Sequence, residues 1–229
     1  MEHNLYYTEG LLSFLRSYTK LPVKGIEVLL NQDEEGVNPS VRPETAALLF
    51  FLVSLSQPVR ILEIGTCRGA SSIIMAKACP EAEIITIEIR TDLADAARGN
   101  FRDFGVERQI TLMEGDMKEI IPTLDLSFDF IFLDGAKKSY PFLFPYLLKR
   151  LHPGGIWVTD DVFLETACFP EHIKGVNEAL QRFNTMVIEE ESLIPALIPL
   201  GHGLLVTAKK KGGKAIILTF SAKTHTISV

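Results

Sequence analysis

The sequence predicts an α/β chain built on a doubly wound, mostly parallel sheet with helices on both faces. Three observations carry that prediction. From Val59 onward, short apolar runs alternate with helical segments. The runs are continuously apolar, as strands buried on both faces must be. The first of them opens into a glycine-bearing loop and a helix, at the place where such sheets hold ligands beyond the carboxyl ends of their strands.

Length and composition agree with one domain. The chain has 229 residues, read as a single unit over 1–229: a helical lead-in over 1–57, a core over 58–209, and an extension over 210–229 with no assigned role. Hydrophobic residues make up 47% and charged residues 23%, which supplies a sizeable core and sets disorder aside. A net charge of −6 disfavours a broad grip on nucleic acid but leaves small-molecule substrates open. MEHNLYY has no basic segment followed by an apolar one, so no secretory leader is expected. The longest apolar run, 46–53, is far short of the ~20 residues a membrane span needs. Cys67, Cys79 and Cys168 are scattered with no CxxC pair, which gives no structural zinc site and suits a reducing compartment. The expectation is a cytoplasmic protein with no membrane partner.

Taken in order, the first elements are two apolar helical patches at 9–18 and 26–30, then a polar loop, NQDEEGVNPS. Pro43 suits the first turn of a helix that continues as ETAALLFFLVSLS. That helix is apolar almost all round, so it should be covered on both sides, by the sheet and by a second copy in a homodimer. VRILEI is the first strand, GTCRGASSIIMAKA the loop and helix after it, EIITIEI the second strand and TDLADAARGNFRDFG its helix. QITLMEG, FDFIFLDG and GGIWVTDD are the next three strands, and SYPFLFPYLLKRLHPGG joins the last two. Right-handed crossovers connect parallel neighbours. EHIKGVNEALQRF reads as an amphipathic helix, and MVIEEES with HGLLVTAKK as a closing pair of strands. The tail GGKAIILTFSAKTHTISV reads as a hinge with an extra strand or two.

A cofactor site is expected where the first strands end. LEIGTCRGAS places Glu63, Gly65, Thr66, Gly69 and Ser71 on a sharp turn entering a helix N-terminus, where backbone approaches a ligand closely. The middle glycine of GxGxxG is missing, so a dinucleotide pyrophosphate fits worse than a cofactor without phosphates. Glu88, with Ile89 beside it, ends the second strand roughly 20 residues on, where an acid accepts from both hydroxyls of a ribose. The third strand ends in Glu114-Gly115-Asp116-Met117, an acid and an apolar neighbour suited to an adenine. Gly65 and Gly69 also read as plain turn glycines, Glu63 as a brace for the loop, and Cys67 as a small filler.

The fourth strand ends in Asp134 and the fifth in Asp160-Asp161. Adjacent strand ends lie about 5 Å apart, so these acids repel one another unless a cation lies between them. An all-oxygen set suits Mg2+, Mn2+ or Ca2+. The plainer alternative is that one acid caps a helix and the others are solvated. Lys137, three residues after Asp134, would be pushed toward its neutral form by cationic neighbours, making it a candidate base; spacing alone does not separate it from Lys138.

VRPETAALL, LEIGTCRGAS, TIEI, EGDM, FIFLDGAKKSY, LLKRLHPGGIWVTDDV and PLGHGLLVTAKK together resemble the cation-dependent O-methyltransferases, the catechol and caffeoyl-CoA type, over 41–209. The resemblance implies a Rossmann-like class I sheet in the order 3-2-1-4-5-7-6 with an antiparallel last strand, and S-adenosylmethionine as cofactor. It implies that Val41, Glu63, Gly65, Thr66, Gly69, Ser71, Ile89 and Asp134 contact the cofactor, Glu88 the ribose, and Asp116 and Met117 the adenine. Asp134, Asp160 and Asp161 would be the metal ligands and Lys137 the general base, with Asp134 beside it in catalysis. Three positions depart from the family pattern: Asp161 where Asn is usual, His202 where the final strand usually has Asp, and Ala70 in the loop. The expected reaction is metal-assisted methyl transfer to a hydroxyl of a catechol-like small molecule. The alternatives are a hydroxylated RNA base as acceptor, for which only Lys209, Lys210, Lys211 and Lys214 speak, or a cofactor-binding protein without transfer activity.

Overall fold

The computed structural model describes residues 9–21, 23–30, 41–163 and 174–211. The loop expected over 31–40, the start of the helix expected from Glu171 and the tail from 212 onward lie outside the described residues. Two short helices, α1 (Glu9–Tyr18) and α2 (Glu27–Leu30), precede α3 (Pro43–Ser56). The core then runs β1 (Arg60–Ile64), α4 (Ala70–Ala78), β2 (Glu83–Glu88), α5 (Thr91–Asp103), β3 (Ile110–Glu114), α6 (Met117–Thr123) and β4 (Phe128–Leu133). After a 3-10 turn (Lys137–Ser139) come α7 (Tyr140–Arg150), β5 (Leu151–Thr159), α8 (Lys174–Glu189), β6 (Leu193–Ile198) and β7 (Leu204–Lys209).

The seven strands form one sheet in the order β3-β2-β1-β4-β5-β7-β6, with β1 to β5 parallel and β7 antiparallel to both β5 and β6. Fold class and strand order are as the sequence predicts. Continuously apolar strands serve two cores at once. In β4, Phe130 and Phe132 face a cluster with Leu49 of α3 and Ile73 of α4, while Ile131 and Leu133 face Leu147 of α7 and Phe183 of α8. Each helix therefore needs an apolar stripe toward the sheet, which α8 supplies through Leu180, Phe183 and Val187.

Two local expectations change. The first is α6, a helix absent from the sequence expectations; Asp116 caps it, its carboxylate accepting from the Lys118 N–H at 2.8 Å. The second is MVIEEES, expected as a strand. Its first four residues continue α8, because Val187 extends the buried stripe of Leu180 and Phe183 by one more turn. The strand that pairs with β7 is LIPALI, whose Pro195 is tolerated because β6 is the sheet's edge. The helix α3 buries Ala46, Leu49 and Val53 and leaves Phe51 and Leu55 exposed in the single chain. Among the described residues, no helix is long and apolar enough to cross a membrane.

Candidate active site

The site is assembled by backbone contacts at the carboxyl ends of β1, β4 and β5. The Gly65 and Thr66 N–H groups donate to the Ile87 carbonyl at 3.0 and 3.2 Å, tying the loop after β1 to β2. The Asp134 N–H donates to Ile64 O at 2.9 Å and the Asp160 N–H to Leu133 O at 3.0 Å, which fixes three strand ends side by side. Gly65 has φ +100, and a Cβ there would strike the Asp134 carbonyl; Gly69 has φ +85, and a Cβ there would strike the Phe101 ring. These glycines are required by close packing of the loop on β4 and α5. That packing brings the loop within reach of Asp134.

A cavity of about 1080 Å3 opens at these strand ends. Of the residues expected to hold the cofactor, Val41, Gly65, Thr66, Ser71, Glu88, Ile89, Asp116, Met117 and Asp134 line it. Glu88 is aimed by two backbone donors, Cys67 N–H at 2.8 Å on Oε2 and Arg90 N–H at 2.9 Å on Oε1. Ile89 is 63% exposed, an apolar side chain open to the cavity. Asp116 lines the cavity while also capping α6.

Glu63 and Gly69 do not line the cavity. Gly69 is the left-handed residue that starts α4. Glu63 lies fully buried behind the loop, where its Oε2 accepts from the Ser72 hydroxyl and from Thr86 Oγ1 at 2.5 Å. Because Thr86 gives its proton to Glu63, Thr66 Oγ1 donates to Thr86 at 2.5 Å, and the chain of hydroxyls runs from the cavity wall inward. Burial raises the Glu63 carboxyl to about 7 against the pull of the surrounding hydroxyls. Through Ser72 and Thr86, Glu63 braces the loop from beneath. Burial also pushes the Cys67 thiol up, which suits a filler and not a nucleophile.

Asp134, Lys137, Asp160 and Asp161 line the same cavity. The Lys137 Nζ lies 2.7 Å from Asp134 Oδ1 and 3.0 Å from Asp161 Oδ2, between two carboxylates. Burial works against the ammonium, but Asp134, with Asp161, holds Lys137 well above the usual lysine range. The two carboxylates thus act on Lys137 in the direction opposite to the cationic neighbours expected of it, favouring the ammonium. Burial raises Asp134 despite the Lys137 charge, and burial with the two neighbouring carboxylates raises Asp160 well above the usual range. Burial acts to raise Asp161 too, yet His202 and Lys137 hold it well below that range.

Asp161 has φ +60, a conformation that Asp and Asn tolerate better than other side-chain-bearing residues, and its N–H donates to Asp160 Oδ1 at 2.7 Å. The turn before β7 brings His202 alongside, through Val162 N–H to Gly203 O at 3.0 Å and Phe163 N–H to His202 O at 2.9 Å. His202 Nδ1 lies 3.1 Å from Asp161 Oδ1, and Arg42 Nη2 lies 2.8 Å from His202 Nε2. Arginine has only donors, so Nε2 accepts and Nδ1 carries the proton given to Asp161. Arg42 is a cavity residue that sequence reasoning missed although it stands in VRPETAALL, beside Val41; Lys138 and Val176 line the same cavity.

The three aspartates have the oxygen chemistry of a divalent-cation site. Their arrangement does not fit one. Among the described residues no three His, Cys, Asp or Glu side chains are placed to hold a metal ion, and Lys137 stands between Asp134 and Asp161.

Known proteins resemble this chain in sequence and in fold. The profile of the O-methyltransferase family matches residues 28–210. A catechol O-methyltransferase of Niastella koreensis is 32% identical over 154 residues, 65% of this chain and 70% of that protein. An O-methyltransferase of Aspergillus hancockii is 29% identical over 206 residues, 76% of this chain and 81% of that protein. The crystal structure of the O-methyltransferase TomG from Streptomyces achromogenes, in complex with S-adenosylmethionine, superimposes with a TM-score of 0.78 at 27% identity, covering 92% of this chain and all of the other. The strand order, the loop after β1 with Glu88 beyond it, and the family profile meet in one assignment: this chain belongs to the class I S-adenosylmethionine-dependent O-methyltransferase family.

Proposed function

We propose that the chain transfers the methyl group of S-adenosylmethionine to a hydroxyl of a catechol-like small molecule. The observation that carries this reading is that one cavity runs from the loop after β1 and Glu88 to the Asp134–Lys137 pair, so cofactor and acceptor share a single space. In this reading the loop at Gly65 and Ser71 holds the amino-acid end of the cofactor. Glu88 takes the ribose hydroxyls, and Ile89 and Met117 pack on the adenine. The acceptor hydroxyl lies at Asp134. A phenol with a pKa near ~10 is a poor nucleophile at neutral pH. The Lys137 ammonium stabilises the oxygen as its proton leaves, and Asp134, through the carboxylate oxygen Oδ2 that Lys137 does not occupy, receives that proton. The O–C bond forms as the S–C bond breaks, the electron pair stays on sulfur, and the cationic sulfonium becomes a neutral thioether. Alignment of oxygen, carbon and sulfur supplies several kcal/mol. The exposed Phe51 and Leu55 of α3 support the homodimer expected from that helix.

The test is transfer of labelled methyl from S-adenosylmethionine to a panel of catechols and hydroxycinnamates. Methylated product is expected, with Asp134→Asn lowering kcat by about 10²–10⁴-fold while cofactor affinity changes little. No transfer to any of these acceptors, with cofactor binding intact by calorimetry, would overturn the acceptor class.

A further inference from the structure

Three carboxylates at the ends of two adjacent strands demand positive charge, and this chain supplies it from its own side chains. Lys137 is 13% exposed and touches one oxygen of Asp134 and one of Asp161, at 2.7 and 3.0 Å. The other oxygen of Asp161 takes the His202 Nδ1–H, and His202 is held in turn by Arg42 at 2.8 Å. One oxygen of Asp160 takes the Asp161 N–H. Four of the six carboxylate oxygens thus already have donors. A cation such as Mg2+ asks for about six oxygens at near-octahedral angles and dehydrates reluctantly. To bind here it would have to displace an ammonium held at two points, at an end of the cavity that Arg42 makes more positive still.

Resting on the O-methyltransferase reading of this cavity, we propose that the Lys137 ammonium is the resident cation of the acceptor site, and that methyl transfer runs without a divalent metal. Arg42 and His202 act as positioning residues: they fix Asp161, and Asp161 with Asp134 fixes Lys137. The ammonium then offers a hydrogen-bond donor to the acceptor oxygen as negative charge develops on it, the role electrostatic preorganisation gives to any fixed cation in a site shielded from water.

The test is titration of Mn2+ into the folded full chain saturated with S-adenosylhomocysteine, read by the electron paramagnetic resonance signal of free Mn2+. The wild type is expected to leave that signal unchanged, and Lys137→Ala, which uncovers the carboxylates, to take up one Mn2+ per chain. Stoichiometric Mn2+ binding by the wild type overturns the proposal. So does a folded Lys137→Ala chain that binds none, since the ammonium would then not be what occupies the cation's place. The wild-type titration decides the matter by itself where the variant does not fold. A parallel methyl-transfer assay with EDTA and with Mg2+ is expected to give equal rates, and loss of transfer in EDTA alone counts against the proposal. Absence of transfer in both arms refutes the functional reading and leaves the Mn2+ result standing.

Discussion

Glu63 makes the stability of this fold depend on pH in a way that one substitution should remove. The side chain is fully buried, and its carboxyl is raised from 4.5 to about 7, chiefly by burial. The unfolded chain keeps the ordinary value. A carboxyl whose folded pKa lies above its unfolded one binds its proton more tightly when folded, so its contribution is complete below the unfolded value and is lost as pH rises through about 7. Each tenfold difference in proton affinity is worth about 1.36 kcal/mol, so the whole span amounts to roughly 3 kcal/mol, of which about 2 should appear between about pH 5.5 and about pH 8.5. Glu63→Gln keeps a carbonyl oxygen for the Ser72 and Thr86 hydroxyls but cannot ionise. The assay is urea unfolding of both proteins at several pH values across that window. Wild type should lose about 2 kcal/mol relative to Glu63→Gln as pH rises. Parallel curves for the two proteins, or a carboxyl carbon resonance of Glu63 that titrates near the ordinary value, would refute the reasoning.

Two further predictions concern the loop after β1 and the acid beyond it. Gly65→Ala places a Cβ at φ +100 against the Asp134 carbonyl, so it should destabilise the fold by about 1–3 kcal/mol or more in denaturant unfolding; an unchanged midpoint would mean that the loop has room to move away from β4. Glu88→Gln removes a carboxylate oriented by the Cys67 and Arg90 N–H groups, and should weaken S-adenosylmethionine binding in calorimetry by about tenfold or more, a charged hydrogen bond being worth about 1.5–3 kcal/mol. Unchanged affinity would remove Glu88 from the ribose.

The sheet was legible because a parallel strand covered on both faces leaves a mark that few other elements leave: FDFIFL has no polar alternation, and its residues divide between two cores. The acids at strand ends were legible for the same reason, since a strand's end is also where its apolar run stops. The helix α6 could have been found, because Asp116 followed three residues later by Glu119 is a helix-start signal. It was hidden by the apolar strand just before it. The boundary between α8 and β6 was harder. MVI favours a strand by residue type, and only the tertiary position of Val187, one turn beyond Phe183 on the buried face, settles it as helix.

The acceptor end shows where spacing stops carrying information. Asp134, Asp160 and Asp161 announce a concentration of negative charge, and any cation of the right size satisfies that demand equally well on paper. What selects among cations is which side chains can reach. Lys137 is brought back onto Asp134 by the 3-10 turn that follows β4. His202 reaches Asp161 only because β7 is antiparallel to β5, which returns the turn 201–203 to the strand end where Asp161 lies. Arg42 arrives from a helix start 160 residues away from its histidine partner. None of these approaches is a local property of the chain, so the three aspartates are legible in sequence while the ammonium, imidazole and guanidinium that the fold sets beside them are not.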